Sequence, residues 1–94
     1  MRESIIQSKT IIAFEKSGWM VVKLIQTNRN GIPDLMCLKD GKTVFIECKT
    51  ENKSKVDPLQ KYRHNELRKK GFLVKIINNI NQIQDVINQC SFIL

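Results

Sequence analysis

The amino-acid sequence predicts an α/β fold with the element order αβββαβα. Three observations carry that expectation. Apolar residues recur at three- and four-residue spacing near both ends of the chain, the period of a helix buried along one face. Two apolar runs flank Asp40-Gly41, a dipeptide suited to a two-residue type I′ hairpin turn. Asp57-Pro58 then supplies a helix start, with aspartate as N-cap and proline at the first helical position.

In chain order, residues 2–17 read as a helix closed by Gly18, with Glu3, Ile6, Thr10, Ala13, Phe14 and Ser17 on one face. Residues 19–26 are β-branched and aromatic and read as a strand, with Trp19 in the core. The polar stretch 27–33 is a loop in which Gly31 and Pro33 shape the delivery of Asp34. Strands over 34–39 and 42–49 follow. The tight turn between them pairs Lys39 with Lys42, Met36 with Phe45 and Asp34 with Glu47. Asp34, Met36, Leu38, Phe45, Glu47 and Lys49 then line one side of the sheet, and Leu35, Cys37, Val44, Ile46 and Cys48 the other. After a polar, lysine-bearing loop, the helix opened by Asp57-Pro58 runs to Gly71, with Gln60 placed to complete a capping box. Residues 72–77 form the last strand, and Ile80, Ile83, Ile87 and Cys90 make the stripe of a final helix over about 80–89.

Composition narrows the function classes. The 94 residues are expected to form a single domain, 1–94, of modest stability, since so short a chain removes only about two thirds of its unfolded surface from water. Hydrophobic residues at 41% and charged residues at 27% fit a globular protein rather than a disordered one. Sixteen Lys and Arg stand against nine Asp and Glu, and a formal charge of +7 favours a polyanionic partner, nucleic acid being the commonest. Cys37, Cys48 and Cys90 lack paired spacing and His64 is alone, so a structural zinc site is not expected. Reduced thiols point to the cytoplasm. The N-terminus has no signal-peptide pattern, and no apolar run approaches a membrane span, so no membrane partner is expected.

The hairpin register concentrates the chemistry. Residues directly opposite on antiparallel strands have Cβ atoms about 5 Å apart, and two carboxylates so placed repel. A hard divalent cation removes the conflict, because Mg²⁺ prefers carboxylate oxygen together with water and phosphate. Lys49 projects from the same face as Glu47. Asp34, Glu47 and Lys49 therefore suit phosphodiester hydrolysis. The metal would neutralise phosphate charge and activate water, while the ammonium orients that water or stabilises the transition state. A cross-strand Glu–Lys surface ion pair is the plainer account of the same spacing.

Gly31-Ile32-Pro33-Asp34-Leu35, Ile46-Glu47-Cys48-Lys49 and Asp57-Pro58-Leu59-Gln60 together resemble the VRR-NUC branch of the PD-(D/E)XK nucleases. Glu3, Ile6, Phe14 and Gly18 extend the resemblance into the first helix, so that it covers residues 3–77. Thr10, in place of a usual aliphatic residue, and Cys48, where valine is common, are its departures. The resemblance implies a restriction-endonuclease-like αβββαβ core with a mixed sheet and a short C-terminal helix. It implies Asp34, Glu47, Lys49 and Gln60 as catalytic residues. Asp34, Glu47, the Cys48 backbone carbonyl and Glu3 are the implied metal ligands. It further implies Mg²⁺ as cofactor, with Mn²⁺ able to substitute and no small-molecule cofactor. Double-stranded or branched DNA such as Holliday junctions is the implied substrate, cut by a homodimer in a bacterial or phage-infected cytoplasm.

The supporting residues have plainer roles beside these. Glu3 suits a helix's first turn electrostatically, and Gln60 can serve as a capping-box partner alone. Arg29, Lys53, Lys55 and Lys61 are candidate DNA contacts, although a solvated basic face accounts for many lysines of this kind. His64 is expected on the surface of its helix rather than as a ligand, since no second histidine exists. The leading expectation is a Mg²⁺-dependent DNA endonuclease. A basic DNA-binding module without cleavage activity, and a nuclease acting on RNA, are the alternatives.

Overall fold

The computed structural model describes residues 1–50 and 57–92. Its elements follow the expected order: α1 (Glu3–Lys16), β1 (Met20–Lys23), β2 (Leu35–Lys39), β3 (Lys42–Cys48), α2 (Pro58–Lys69), β4 (Leu73–Ile77) and α3 (Ile83–Ser91). The four strands form one mixed sheet in sequence order, with β1–β2 and β2–β3 antiparallel and β3–β4 parallel. The chain is an α/β fold as expected, and its first strand is shorter than 19–26.

The hairpin is built as its turn chemistry dictates. Asp40 and Gly41 both have positive φ, 50° and 77°, the conformation of a type I′ turn. Lys39 pairs with Lys42 and Met36 with Phe45. Leu35, Cys37, Val44, Ile46 and Cys48 are fully buried on one face. Ile6 and Phe14 of α1, Trp19, and Ile83, Val86, Ile87 and Cys90 of α3 complete that core. Phe14 and Trp19 meet edge to face, with ring centroids 5.8 Å apart.

Alternation puts Phe45, Glu47 and Val74 on the opposite face, which α2 covers. Phe72 packs edge to face on Phe45, and the Arg68 guanidinium donates to the Val74 carbonyl at 3.0 Å. The Asp57 carboxylate caps α2 by accepting from the Gln60 N–H at 3.0 Å.

The final helix begins differently from the expectation. Asn79 accepts from the Asn81 N–H through its side chain, and Ile80–Gln82 form a 3₁₀ turn before α3. An asparagine that caps so tightly draws the first turn into i→i+3 bonding. Ile83, Ile87 and Cys90 keep the buried stripe, joined by Val86, while Ile80 packs at its margin. Among the described residues, no helix is long and apolar enough to cross a membrane.

Candidate active site

The end of the sheet where β2 begins and β3 ends collects the polar residues of the interior. Asp34 stands one position before β2. Its carbonyl accepts from the Leu24 N–H at 2.8 Å, which ties the residue to the end of β1. Its carboxylate Oδ2 accepts from the Cys48 N–H, also at 2.8 Å. In an extended strand a residue's N–H and C=O face the same neighbour, so the Cys48 carbonyl is turned to the Asp34 side as well.

Glu47 is 1% exposed, one position earlier on β3 and directed to the α2 face. Its Oε2 accepts from Gln60 Nε2 at 3.1 Å and lies 3.4 Å from the Lys49 ammonium. Lys49 in turn donates to Gln60 Oε1 at 2.9 Å. An ammonium can only donate and a carboxylate can only accept, so these two partners fix the orientation of the Gln60 amide. The plainer account of Gln60 as a reciprocal cap fails here. Its backbone N–H is capped by Asp57, but its side chain turns away from the cap to join Glu47 to Lys49. The Glu47–Lys49 pair is likewise no surface pair, since the Lys49 side chain is 15% exposed and Glu47 less still.

Glu3 arrives from the first turn of α1. One carboxylate oxygen each from Glu3, Asp34 and Glu47 lie within 4.8 Å of one another. Burial is the main cause that pushes the Asp34 carboxyl up to about 6. The nearby charges of Glu47 and Glu3 push the same way, while the Cys48 N–H and Lys49 oppose them. Three acidic groups held so close raise the free energy of one another's charged forms unless a cation joins them. An all-oxygen donor set fits a hard divalent ion such as Mg²⁺ rather than a thiophilic one. The Glu47 Oε1 atom is buried and has no hydrogen-bond partner among the described residues.

The loop that delivers Asp34 is locked onto α2. Gly31 has φ of 82°, and a Cβ there would lie 2.8 Å from the Leu59 carbonyl oxygen, so only glycine allows the approach. Arg63 donates from Nε to the Asn30 carbonyl at 2.9 Å while pairing with Glu66 at 2.8 Å.

A search of family models gives no match. "Putative nuclease p44" of Acyrthosiphon pisum secondary endosymbiont phage 1 is 31% identical over 80 residues, covering 84% of this chain and 85% of that protein. A solved structure described as a VRR_NUC domain is 35% identical, with a TM-score of 0.81 over 92% of this chain and 94% of that one. The chain belongs to the VRR-NUC nuclease family.

Within this VRR-NUC chain the fold brings Glu3, Asp34, Glu47, Lys49 and Gln60 together. Arg29 is exposed in the loop before Gly31, and Lys61 is exposed on α2. Lys53 and Lys55 lie outside the described residues. Thr10 is buried, and its hydroxyl donates to the Ile6 carbonyl at 2.7 Å.

His64 corrects its surface assignment. It is 1% exposed, and its Nε2 lies 3.7 Å from Glu47 Oε1. The signal was in the spacing, since His64 is one helical turn after Gln60 and must share its inward face. Arg63 was also missed as an anchor for the loop, and no local pattern announces a contact to a backbone carbonyl 33 residues away.

Proposed function

We propose that this chain is a Mg²⁺-dependent endonuclease that hydrolyses DNA phosphodiesters, with Mn²⁺ able to replace Mg²⁺. The observation that supports it is the convergence of Glu3, Asp34 and Glu47 beside the Lys49–Gln60 pair. The residues that would hold the ion are Asp34, Glu47, the Cys48 carbonyl and Glu3. Bound there, Mg²⁺ would neutralise phosphate charge, lower the pKa of a water and support the leaving oxygen. Lys49 holds an ammonium beside the same point, fixed by Gln60 Oε1, and stabilises negative charge as it builds on the phosphate. Gln60 keeps that ammonium and Glu47 in register through its other amide atom. Arg29 and Lys61, with Lys53 and Lys55, bind the DNA backbone, consistent with the +7 charge.

The substrate is double-stranded DNA with a preference for branched forms such as four-way junctions, and the working unit is a homodimer that makes paired nicks. Sedimentation with and without DNA tests the dimer, and a monomeric mass in both removes it. The test of activity is a cleavage panel of linear, flap, nicked and four-way DNA, with an RNA duplex as competitor. It is run with Mg²⁺, Mn²⁺ and EDTA beside Asp34→Ala and Lys49→Ala. Cleavage that needs the metal and both side chains supports the reading. Binding without any cutting under either metal leaves the basic DNA-binding module instead.

A further inference from the structure

One buried imidazole has no task in the activity proposed above. His64 lies against Glu47, and each is 1% exposed. The two atoms that face one another, His64 Nε2 and Glu47 Oε1, are 3.7 Å apart, and neither has a hydrogen-bond partner among the described residues. The other carboxylate oxygen is already engaged by Gln60 and Lys49. One oxygen of the Glu47 carboxylate is thus held by Gln60 and Lys49, and the other faces the histidine ring. Leaving such atoms unpaired in the interior forfeits their hydration with nothing gained in return. Moving them together by less than about 1 Å makes a hydrogen bond of ordinary length.

We propose that His64 is a positioning residue, whose Nε2–H donates to Glu47 Oε1 and fixes the rotation of that carboxylate for cation binding. The role rests on the reading of Glu47 as a metal ligand. A carboxylate held at one oxygen can still swing about that oxygen as its side-chain torsions adjust together, and a donor at the second oxygen stops that swing. An oriented carboxylate has less freedom to lose when an ion binds. His64 is not itself placed as a ligand: the group of atoms within 4.8 Å of one another belongs to Glu3, Asp34 and Glu47, and the imidazole adjoins the last of these. A ligating nitrogen would have to be bare, whereas the positioning role requires a proton on Nε2.

The test pairs Mn²⁺ titration calorimetry on the wild type, His64→Gln and His64→Leu with long-range ¹H–¹⁵N spectra of the wild type, with and without Mg²⁺. The chain has a single histidine, so the imidazole signals need no assignment. Glutamine can donate from a similar reach and leucine cannot. The expected result is Mn²⁺ affinity lowered about 10–100-fold in His64→Leu. His64→Gln should stay within a few-fold of wild type, with Nε2 protonated before and after Mg²⁺. Undiminished Mn²⁺ binding by a folded His64→Leu overturns the role alone, as does a bare Nε2 in the wild type. If His64→Leu does not fold, the wild-type spectra and His64→Gln decide the matter. Failure of the wild type itself to bind Mn²⁺ overturns the metal reading, and this role falls with it.

Discussion

Asp34 accepts a hydrogen bond from the Cys48 N–H at 2.8 Å, yet its carboxyl is pushed up to about 6, because burial outweighs that bond. The folded chain therefore holds the Asp34 proton more tightly than the unfolded chain, in which the group titrates near its ordinary 3.8. The stability this group contributes is fully present below about pH 4 and is lost as the pH rises through about 6. Asp34→Asn has no such proton to lose. In EDTA its melting temperature should gain on that of wild type as the pH climbs from 4 to 7, while cleavage is abolished. Thermal unfolding of both proteins across this range checks it, and a gap that ignores pH would refute the assignment.

Lys49 is held against Gln60 and Glu47 rather than in solvent. Lys49→Met should lower single-turnover cleavage about 10²–10³-fold, the scale for losing one preorganised charge donor. DNA affinity should change little, since many other cations remain in a chain of charge +7. Rapid-quench cleavage beside a binding titration separates the two effects.

Asp57 and Gln60 meet at the start of α2 but do different work. Asp57→Ala removes the cap and should cost about 1 kcal/mol. That corresponds to a melting temperature lower by about 4–8 °C, with the cleavage rate retained. Gln60→Leu keeps the cap, because Asp57 accepts from a backbone N–H. It should melt near wild type while cleaving about 10–100-fold more slowly, as Lys49 and Glu47 lose the amide between them.

Gly31 and Gly41 share a left-handed backbone, with φ of 82° and 77°, but only Gly31 is crowded. Alanine at position 41 meets open space and should cost about 1 kcal/mol for its conformation alone. Alanine at position 31 would press on the Leu59 carbonyl as well, and should lower the melting temperature by on the order of 10 °C. It should also slow cleavage, because the loop it displaces carries Asp34. Equal losses at the two positions would mean that the contact with α2 is unimportant.

The hairpin was legible in the sequence because its information is local. Asp40-Gly41 fixes the turn, the turn fixes the register, and the register sends alternate side chains to opposite faces. The start of α2 was readable for the same reason, through Asp57 and Pro58. The 3₁₀ turn before α3 depends on a side chain competing with the backbone at Asn79, which apolar periodicity does not report. The long-range parts of the site escaped more fully. His64 looks like any polar residue on a basic helix until α2 is laid over the sheet and Glu47 is found beneath it. Arg63 carries the bias expected of a solvated face, but its guanidinium is spent on Asn30 and Glu66.

The three cysteines of the core bear on how the molecule can be watched. Burial pushes the thiols of Cys37 and Cys48 up to about 12 and that of Cys90 to about 11, so no thiolate is available at neutral pH while the fold is intact. An alkylating reagent such as iodoacetamide will consequently modify only those molecules that have opened. The native sequence thus contains its own counter of transient unfolding: the mass gained over time reports how often the interior is breached, with no probe introduced.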